Sequence, residues 1–408
     1  MQARGISQRT AAVLLAMAVL LGTSPPDAAA QGLAAPRGAC QQGRLHLPLH
    51  HRIMDGGGPL LLDLAGPMLW VANCPCTHWA IGCGGGDCNG IRNMFTPDAC
   101  VSAEWPTQGE GPCVFCTALP YNPVDGRWVA AQATTISIAA NATDGKNPLF
   151  PVTFPVVGSC APGDFLASLP AGVAGVAGLA RLLNSLPLQV AQWYRLKQEF
   201  ALCLPRAGDG VAVFARRQPP QEASPVPLPF LFNPKNRAYY FTITGIPVNQ
   251  ERVPTPPGAF DMERRGQGGA AFSTVTPDPT PRSAGHLLAA PQRVAPFDMC
   301  YQASELTMTS VGYAVANIDL MLDGGQNWTL PGASSLVQVN DQTVCFAFVQ
   351  TDSSVPAHAE SPAVILGGHQ LENNLLIFDL EKDTFGFSGL LLGVGTTCSN
   401  FDFSMGSS

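Results

Sequence analysis

Short apolar runs separated by turn residues recur along the chain. The runs alternate or are rich in β-branched side chains, and Asp-Gly, Asn-Pro and Pro-Gly pairs stand between them. Such a pattern predicts an antiparallel all-β protein. The predicted strands cover residues 60–62, 133–138, 210–214, 239–244, 363–366 and 375–378.

One segment departs from this pattern and has helical spacing. Residues 187–200 begin with a proline, which is favoured in the first turn of a helix. Apolar residues recur at intervals that place them on one face of that helix. We therefore expect a helix that packs against a β-sheet. The residues of its apolar face are Leu188, Ala191, Tyr194 and Leu196.

Residues 1–30 have the layout of a secretory signal peptide. Arg4 and Arg9 precede an apolar run at 11–22, and three alanines before Gln31 offer a cleavage site. The apolar run is too short to cross a membrane, which takes about 20 apolar residues. We therefore expect a secreted, extracellular protein without a membrane anchor.

The composition narrows the class of protein further. The chain has 408 residues, of which 46% are hydrophobic and only 12% are charged, with 42 Gly and 37 Pro. Its length favours two lobes, and the many Gly and Pro residues exclude a long helical bundle. The net charge of −7 excludes a protein that binds nucleic acid through a basic surface.

The 13 cysteines fit an oxidising compartment, and seven of them lie between Cys74 and Cys116. Their spacing does not give the two Cys-x-x-Cys pairs typical of a structural zinc site. We therefore expect disulfides, with no metal and no cofactor. Because the count is odd, one thiol is free, pairs with another chain, or is peculiar to this sequence. The sequons at Asn141 and Asn327 are candidate N-glycosylation sites on the surface.

Two proline-rich segments divide the chain. Residues 216–229 form the predicted linker between an N-terminal lobe, 31–215, and a C-terminal lobe, 230–408. The N-terminal lobe contains a cysteine-rich insertion at about 74–116. The second proline-rich segment lies at 276–296, within the C-terminal lobe.

One acidic residue, Asp63, directly follows the apolar run at residues 60–62. Residues 61–70 resemble the first active-site loop of pepsin-like aspartic proteases, in which two hydrophobic residues precede Asp-Thr-Gly-Ser. Those enzymes use two carboxyl groups that share a proton. Asp63 supplies one of them, while Leu64 and Ala65 replace the Thr and Gly. Further along, Tyr121 occupies the place of the flap tyrosine of these proteases.

The second carboxyl group is missing. The resemblance implies an Asp four residues after a Gly-Gly pair, and this chain has Ser273 at that position. Val275 also replaces the Gly that should follow. A serine hydroxyl cannot share a proton with Asp63 as a second carboxyl group would. We therefore expect no catalytic residues and no aspartic protease activity.

A series of shorter segments makes the resemblance more specific. In their order along the chain they resemble plant xylanase inhibitors of the TAXI type, which have the pepsin-like fold and are related to basic 7S globulins. The resemblance implies two antiparallel β lobes flanking a cleft. The segments begin at Leu62 (LDLAGP), Tyr121 (YNPV), Asn141 (NATDG), Leu166 (LASLP), Gly175 (GVAGLA), Leu202 (LCLP), Leu322 (LDGG), Ala363 (AVILGG) and Phe385 (FGFS).

The resemblance implies a monomeric plant-defence protein of the apoplast that inhibits microbial endo-1,4-β-xylanases of glycoside hydrolase family 11. Such inhibitors cover the carboxylate pair of the glycosidase cleft, using a histidine near their C-terminus. Leu392 stands about where that histidine is expected, and neither His286 nor His369 matches its motif. Two alternatives stay open: a non-inhibitory 7S globulin-like binding or storage protein and, ranked last, an active aspartic endopeptidase.

The resemblance also bears on the cysteines. It implies a disulfide between Cys300 and Cys345, which corresponds to the second-lobe bridge of pepsin-like proteins. Trp128 stands where the family has a cysteine, and Cys40 and Cys76 are additional. The pairing within the first lobe stays open.

Overall fold

The computed structural model places much of the described chain in β-strands, which confirms the expected all-β class. Among the residues that it describes, no helix is long and apolar enough to cross a membrane. Only the backbone is described for residues 12–15. The other described residues are 59–72, 74, 79–82, 85–94, 116–143, 150–206, 210–214, 227–233, 236–275, 292–294, 297–349 and 362–400.

The strands of the first half of the chain end before the predicted linker. They are β1 (Ala12–Leu15), β2 (Leu60–Asp63), β3 (Leu69–Ala72), β4 (Trp79–Ala80), β5 (Thr117–Ala118), β6 (Ala131–Thr143), β7 (Phe150–Ala161), β8 (Gly175–Gly178), β9 (Glu199–Cys203) and β10 (Val211–Phe214). The helices of this half are α1 (Gly86–Met94), α2 (Leu186–Tyr194) and a 3-10 turn at Gly163–Leu166.

The strands of the second half are shorter. They are β11 (Leu228–Pro229), β12 (Tyr240–Phe241), β13 (Ile243–Gly245), β14 (Pro247–Val248), β15 (Glu251–Arg252), β16 (Ala270–Phe272), β17 (Gln292–Val294), β18 (Phe297–Gln302), β19 (Met308–Thr309), β20 (Gly312–Tyr313), β21 (Ile318–Leu322), β22 (Asn327–Leu330), β23 (Leu336–Asn340), β24 (Thr343–Phe346), β25 (Val364–Leu366), β26 (Asn374–Asp379) and β27 (Thr384–Leu390). The helices are α3 (Gly332–Ser335), α4 (Gly368–Leu371) and 3-10 turns at Ala303–Glu305, Asp323–Gly325 and Leu391–Val394.

The two lobes repeat one arrangement of parallel strands. In the first lobe β2 runs parallel to β8, with Asp63 opposite Gly178. In the second lobe β16 runs parallel to β25, with Phe272 opposite Leu366. All four strands are largely buried, as expected for parallel strands covered on both faces. The loops that follow β2 and β16 therefore hold corresponding positions in their lobes.

A 13-stranded sheet joins the two halves of the chain. Strand β9 from the first half pairs antiparallel with β26 from the second half, which brings Phe200 opposite Phe378. The strand order is β11-β27-β26-β9-β10-β1-β6-β7-β3-β8-β2, with β4 and β5 paired to β6. The remaining sheets belong to the second half and are β12-β16-β25, β13-β21-β14-β15 with β22, β17-β18-β24-β23, and β19-β20.

Strand β1 comes from the predicted signal peptide. It lies between β6 and β10, where Val13 is opposite both Ala142 and Phe214. Cleavage before Gln31 stays a prediction. Removal of residues 1–30 would take this strand away and leave the backbone groups of β6 and β10 to find another partner.

The predicted helix is shorter than expected. Helix α2 ends at Tyr194 because Arg195 adopts the left-handed conformation, with φ of 53°. The N–H of Leu196 then bonds back to the carbonyl of Ala191, and the chain enters β9. Of the predicted apolar face, only Ala191 is fully buried. The buried residues of α2 are Leu186, Pro187, Val190 and Ala191.

The predicted linker also ends earlier than expected. Leu228–Pro229 forms β11, and Leu228 lies opposite Phe385 of β27. Residues 215–226 lie outside the described residues, as do 276–291 of the second proline-rich segment.

The largest group of buried side chains extends through both halves of the chain. Phe200 stacks on Phe378 with 4.5 Å between ring centres, and Tyr239 packs edge-on against Phe378 at 4.7 Å. The Tyr239 hydroxyl donates a hydrogen bond of 2.6 Å to the carbonyl of Leu179. A residue of the second half is thus bonded to the segment that follows β8, in surroundings where an unpaired polar group is costly.

Four disulfides connect described cysteines. Cys300–Cys345 joins β18 to β24, which confirms the predicted pair. Cys203–Cys398 ties β9 to the C-terminal end of the chain. Cys40, Cys76, Cys83, Cys100 and Cys113 lie outside the described residues. The other two bridges are Cys74–Cys160 and Cys88–Cys116.

The bond between Tyr239 and Leu179 gives a first testable expectation. We expect Tyr239→Phe to lower the free energy of unfolding by about 1–3 kcal/mol, because it leaves a buried carbonyl without its partner. Urea denaturation followed by tryptophan fluorescence measures this. The control is Tyr313→Phe, whose exposed hydroxyl is 3.5 Å from Gln338 and should contribute less than about 0.5 kcal/mol. Equal losses of unfolding free energy in both variants would contradict a stabilising role for the hydrogen bond between Tyr239 and Leu179.

Candidate functional site

Asp63 lies at the end of β2 and is buried, with 3% of its surface exposed. Its Oδ1 accepts a hydrogen bond of 2.9 Å from the N–H of Ala65. Its Oδ2 is buried and has no hydrogen-bond partner among the described residues. Gly66 packs closely here, because a Cβ at that position would lie 2.9 Å from Oδ2 and 2.9 Å from the Cα of Gly178.

This environment changes the acidity of the carboxyl group. Burial away from water raises the pKa of Asp63 from 3.8 to about 6, although hydrogen bonding from the N–H groups of Ala65 and Gly66 opposes the rise. A substantial fraction of Asp63 is therefore neutral in mildly acidic solution. The neutral form is the one that tolerates an unpaired buried oxygen better.

Ser273 follows β16, at the position that corresponds to Asp63 in the other lobe. Its N–H donates to the carbonyl of Leu366 at 2.9 Å, and its hydroxyl accepts a bond of 3.3 Å from the N–H of Val275. The side chain is thus part of a local turn of its own lobe. Asp278 lies outside the described residues.

Thr274 brings the two loops together. Its hydroxyl donates to the carbonyl of Leu62 at 2.6 Å and accepts the N–H of Leu64 at 3.2 Å. The neighbour of Ser273 is therefore bonded to the residues on both sides of Asp63. Leu64 is fully buried but has no polar side chain to form the reciprocal bond. Thr274 is not among the site residues predicted from the sequence, although its place directly after Ser273 is a usable signal.

Tyr121, the residue predicted to correspond to the flap tyrosine, belongs to a hairpin that makes several side-chain contacts. Tyr121 pairs with Trp128 across the hairpin, and their ring centres are 4.7 Å apart. Trp70 donates its ring N–H to the carbonyl of Tyr121 at 2.8 Å. Trp128, where the family has a cysteine, thus contributes an aromatic contact.

Asn122 attaches this hairpin to the body of the lobe. It is fully buried, and its Nδ2 donates to the carbonyl of Phe165 at 2.9 Å and to the hydroxyl of Ser168 at 2.8 Å. Its Oδ1 accepts the N–H of Val124 at 3.0 Å. The tip of the hairpin remains accessible, because Val124 is 47% exposed.

The C-terminal turn presents an apolar surface. Leu392 is half-buried in the 3-10 turn Leu391–Val394, while Val394 is 78% exposed. His369 does not supply the expected imidazole, since its Nε2 lies 3.0 Å from the carbonyl of Leu336 and its Nδ1 lies 3.5 Å from Glu372. His286 lies outside the described residues.

Comparison with protein families decides the affiliation of the chain. The family Xylanase inhibitor N-terminal matches residues 57–215, and the family Xylanase inhibitor C-terminal matches residues 238–279 and 281–389. The chain belongs to the TAXI-type xylanase-inhibitor family. The resemblance expected from the active-site loops and the later segments is therefore confirmed.

Individual members of the family carry varied names. Chitinase CLP of Oryza sativa subsp. japonica is 40% identical over 385 residues, which cover 86% of this chain and 87% of that protein. Gamma conglutin 1 of Prunus dulcis is 32% identical over 375 residues, covering 85% and 83%.

Solved structures confirm the two-lobed, pepsin-like fold. The crystal structure of edgp has a TM-score of 0.71 and 29% identity, and it covers 85% of this chain and 91% of that one. The crystal structure of basic 7S globulin from soybean has a TM-score of 0.67 and 26% identity, covering 85% and 92%.

The buried carboxyl group predicts how stability depends on pH. Because the pKa of Asp63 is raised on folding, the folded state binds its proton more tightly than the unfolded state does. This stabilising effect is complete below the unfolded pKa of about 4, falls as the pH rises through about 6, and amounts to about 3 kcal/mol in total.

We expect Asp63→Asn to remove this pH dependence. The variant should be more stable than the parent at pH about 7.5 by up to about 3 kcal/mol and similar to it at pH about 4. Urea denaturation across this range measures the difference. Asp298→Asn, which changes an exposed carboxylate of β18, is the matched control. An unchanged pH profile in Asp63→Asn would contradict the prediction.

Proposed function

We propose that this protein is a secreted, catalytically inactive relative of aspartic proteases that binds a microbial endo-1,4-β-xylanase of glycoside hydrolase family 11 and blocks its cleft. The observation that carries the proposal is that the two lobes have different residues at equivalent positions, Asp63 in the first lobe and Ser273 in the second. Xylanase-inhibitor families match the chain over both lobes. A pepsin-like water activation needs two carboxyl groups.

The chemistry of the loops supports a binding role over a hydrolytic one. A carboxyl group beside a hydroxyl cannot share a proton in the way that a carboxyl pair does. Leu64 and Val275 also lack the hydrogen-bonding and steric features of the residues that they replace. The flap hairpin is attached to its own lobe through Asn122, so it offers a fixed surface with Val124 at its tip.

The C-terminal turn sets the expected strength of binding. An imidazolium that faces two carboxylates gains charge-assisted hydrogen bonds, and Leu392 cannot form them. We expect apolar contacts, to which the exposed Val394 contributes, to supply the affinity instead. The interaction should therefore be weaker than that of a family member with a histidine here.

A second candidate function is a non-inhibitory binding or storage role. It is favoured by the similarity to basic 7S globulin from soybean and to conglutin gamma from lupine seeds, both of which are named as basic 7S globulins. The fold would then persist without a hydrolase target.

Inhibition and pull-down assays with a family 11 xylanase separate these two candidates. We expect inhibition at micromolar protein and co-purification of the two proteins. A full xylanase rate at that concentration, with no complex, would favour the storage role. Because one relative is named a chitinase, hydrolysis of chitin oligosaccharides is measured with the same preparation, and we expect none.

We expect Leu392→His to bind the xylanase about tenfold more tightly, because it restores a donor to the carboxylate pair. Surface plasmon resonance at mildly acidic pH measures the change. Val394→His is the control, since it adds the same side chain to the same turn at an exposed position two residues away. Equal affinities in Leu392→His and the parent would instead assign the weakness to the C-terminal lobe, which the family resemblance implies is shortened near residues 276–296.

We expect no acid protease activity on denatured haemoglobin at pH about 3–5, since one carboxyl group of the pair is absent. Asp63→Asn should be indistinguishable from the parent in this assay. Cleavage that is blocked by a transition-state inhibitor of aspartic proteases, and lost in Asp63→Asn, would overturn the assignment of Ser273.

A further inference from the structure

A cavity of about 520 Å³ with both polar and apolar walls opens between β22 and the end of β27. None of its lining residues is charged. Three side-chain amides in its wall, those of Asn317, Gln326 and Asn327, form no hydrogen bond to the residues that the structure describes. The remaining lining residues are Val311, Thr329, Pro331, Phe387, Ser388, Gly389 and Leu390.

The chemistry of this wall suits a neutral, hydroxyl-rich ligand. Unpaired amides supply both donors and acceptors, while Phe387, Leu390 and Pro331 supply apolar surface. Most ligand cavities combine a few placed polar groups with apolar walls, at volumes of about 300–1,000 Å³. A sugar ring with an acetamido group has both kinds of surface, whereas a charged ligand would find no counter-charge on the lining residues.

One wall residue is also the acceptor of a sequon. Strand β22 alternates between exposed and buried residues, so Asn327 and Thr329 point outward while Trp328 and Leu330 are buried. The two residues that define the sequon therefore lie on one face, and both line the cavity. A sugar attached to Asn327 would be held at this cavity by its own covalent link, at a high effective concentration.

We infer that Asn327 carries an N-linked glycan whose first sugar occupies this cavity and shields the C-terminal turn from a protein partner. In the transfer, Nδ2 of Asn327 forms a C–N bond to the anomeric carbon of N-acetylglucosamine. The anomeric C–O bond of a lipid diphosphate-linked oligosaccharide breaks, the lipid diphosphate leaves, and one amide proton is released. The shielding part of this inference rests on the proposed function.

The location of the cavity explains the shielding. Its far wall is Phe387–Leu390, and the chain continues directly into the turn Leu391–Val394. Phe387 also stacks on the buried Trp328 with 4.4 Å between ring centres, which couples the cavity wall to the core. A glycan that fills the cavity therefore covers the approach to Leu392 and Val394, and its removal exposes that approach.

The test uses the full chain secreted from plant cells, in an Asn141→Gln background that removes the other sequon. Thr329→Val abolishes the sequon without changing Asn327, and Thr329→Ser preserves it as the matched control. Glycopeptide mass spectrometry should find the glycan in the parent and in Thr329→Ser but not in Thr329→Val. An unmodified Asn327 in the secreted parent would overturn the inference.

Occupancy of the cavity is measured on protein trimmed by an endoglycosidase to the first N-acetylglucosamine. We expect amide exchange in residues 387–390 to be about tenfold slower than in Thr329→Val. Equal exchange rates would overturn the seating of the sugar. A second result would also overturn the seating of the attached sugar: the attached sugar has no effect on exchange, but free N,N′-diacetylchitobiose slows exchange in Thr329→Val. The cavity would then bind a free oligosaccharide instead.

Shielding is measured as xylanase affinity of the untrimmed protein. We expect the fully glycosylated parent to bind about tenfold more weakly than Thr329→Val. Equal binding of both forms would overturn the shielding. Failure of every form to bind would contradict the proposed function, while the mass and exchange measurements would still decide the glycan and its place.

Discussion

The hydroxyl group of Thr274 is the contact on which the geometry of the cleft floor depends. It bonds to backbone groups on both sides of Asp63, across 212 and 210 residues of sequence. Backbone groups buried at a contact between lobes must be paired, and this side chain pairs two of them at once. The opposite partner, Leu64, contributes only apolar packing. At this contact only the second lobe supplies a bonding side chain, that of Thr274. The aromatic core and the Tyr239 hydroxyl also hold the two lobes together.

Asp63 is a buried acid that lies between the two residues to which Thr274 is bonded. In a carboxyl pair, each group stabilises the shared proton of the other. Asp63 holds its proton because burial disfavours the charged form, and the bond from the N–H of Ala65 recovers part of that cost. Close packing of Gly66 against Gly178 excludes a bulkier replacement nearby. Packing at the end of β2 thus holds this carboxyl group in place.

The sequence predicts features that are encoded locally. Alternating apolar runs predict the strands, and the loop around Asp63 predicts its own place at a strand end. Contacts between distant segments escape such reasoning, because Thr274 and Tyr239 acquire their partners only when the lobes meet. The early end of α2 had a different cause, a left-handed residue at Arg195. No glycine or proline marks that position in the sequence. Cys300 and Cys345 could be paired in advance only through the family resemblance.

The attachment of the hairpin that carries Tyr121 supports the proposed binding role. A protease must open its flap to admit a substrate and close it for catalysis. Here the buried Asn122 joins the hairpin to Phe165 and Ser168, and Trp128 packs against Tyr121 with its ring tilted. Movement of the hairpin would leave the buried side-chain amide of Asn122 unpaired, at a cost of about 1–3 kcal/mol. For a binding protein the same rigidity is an advantage, because a surface that is ordered before contact loses less entropy when a partner binds.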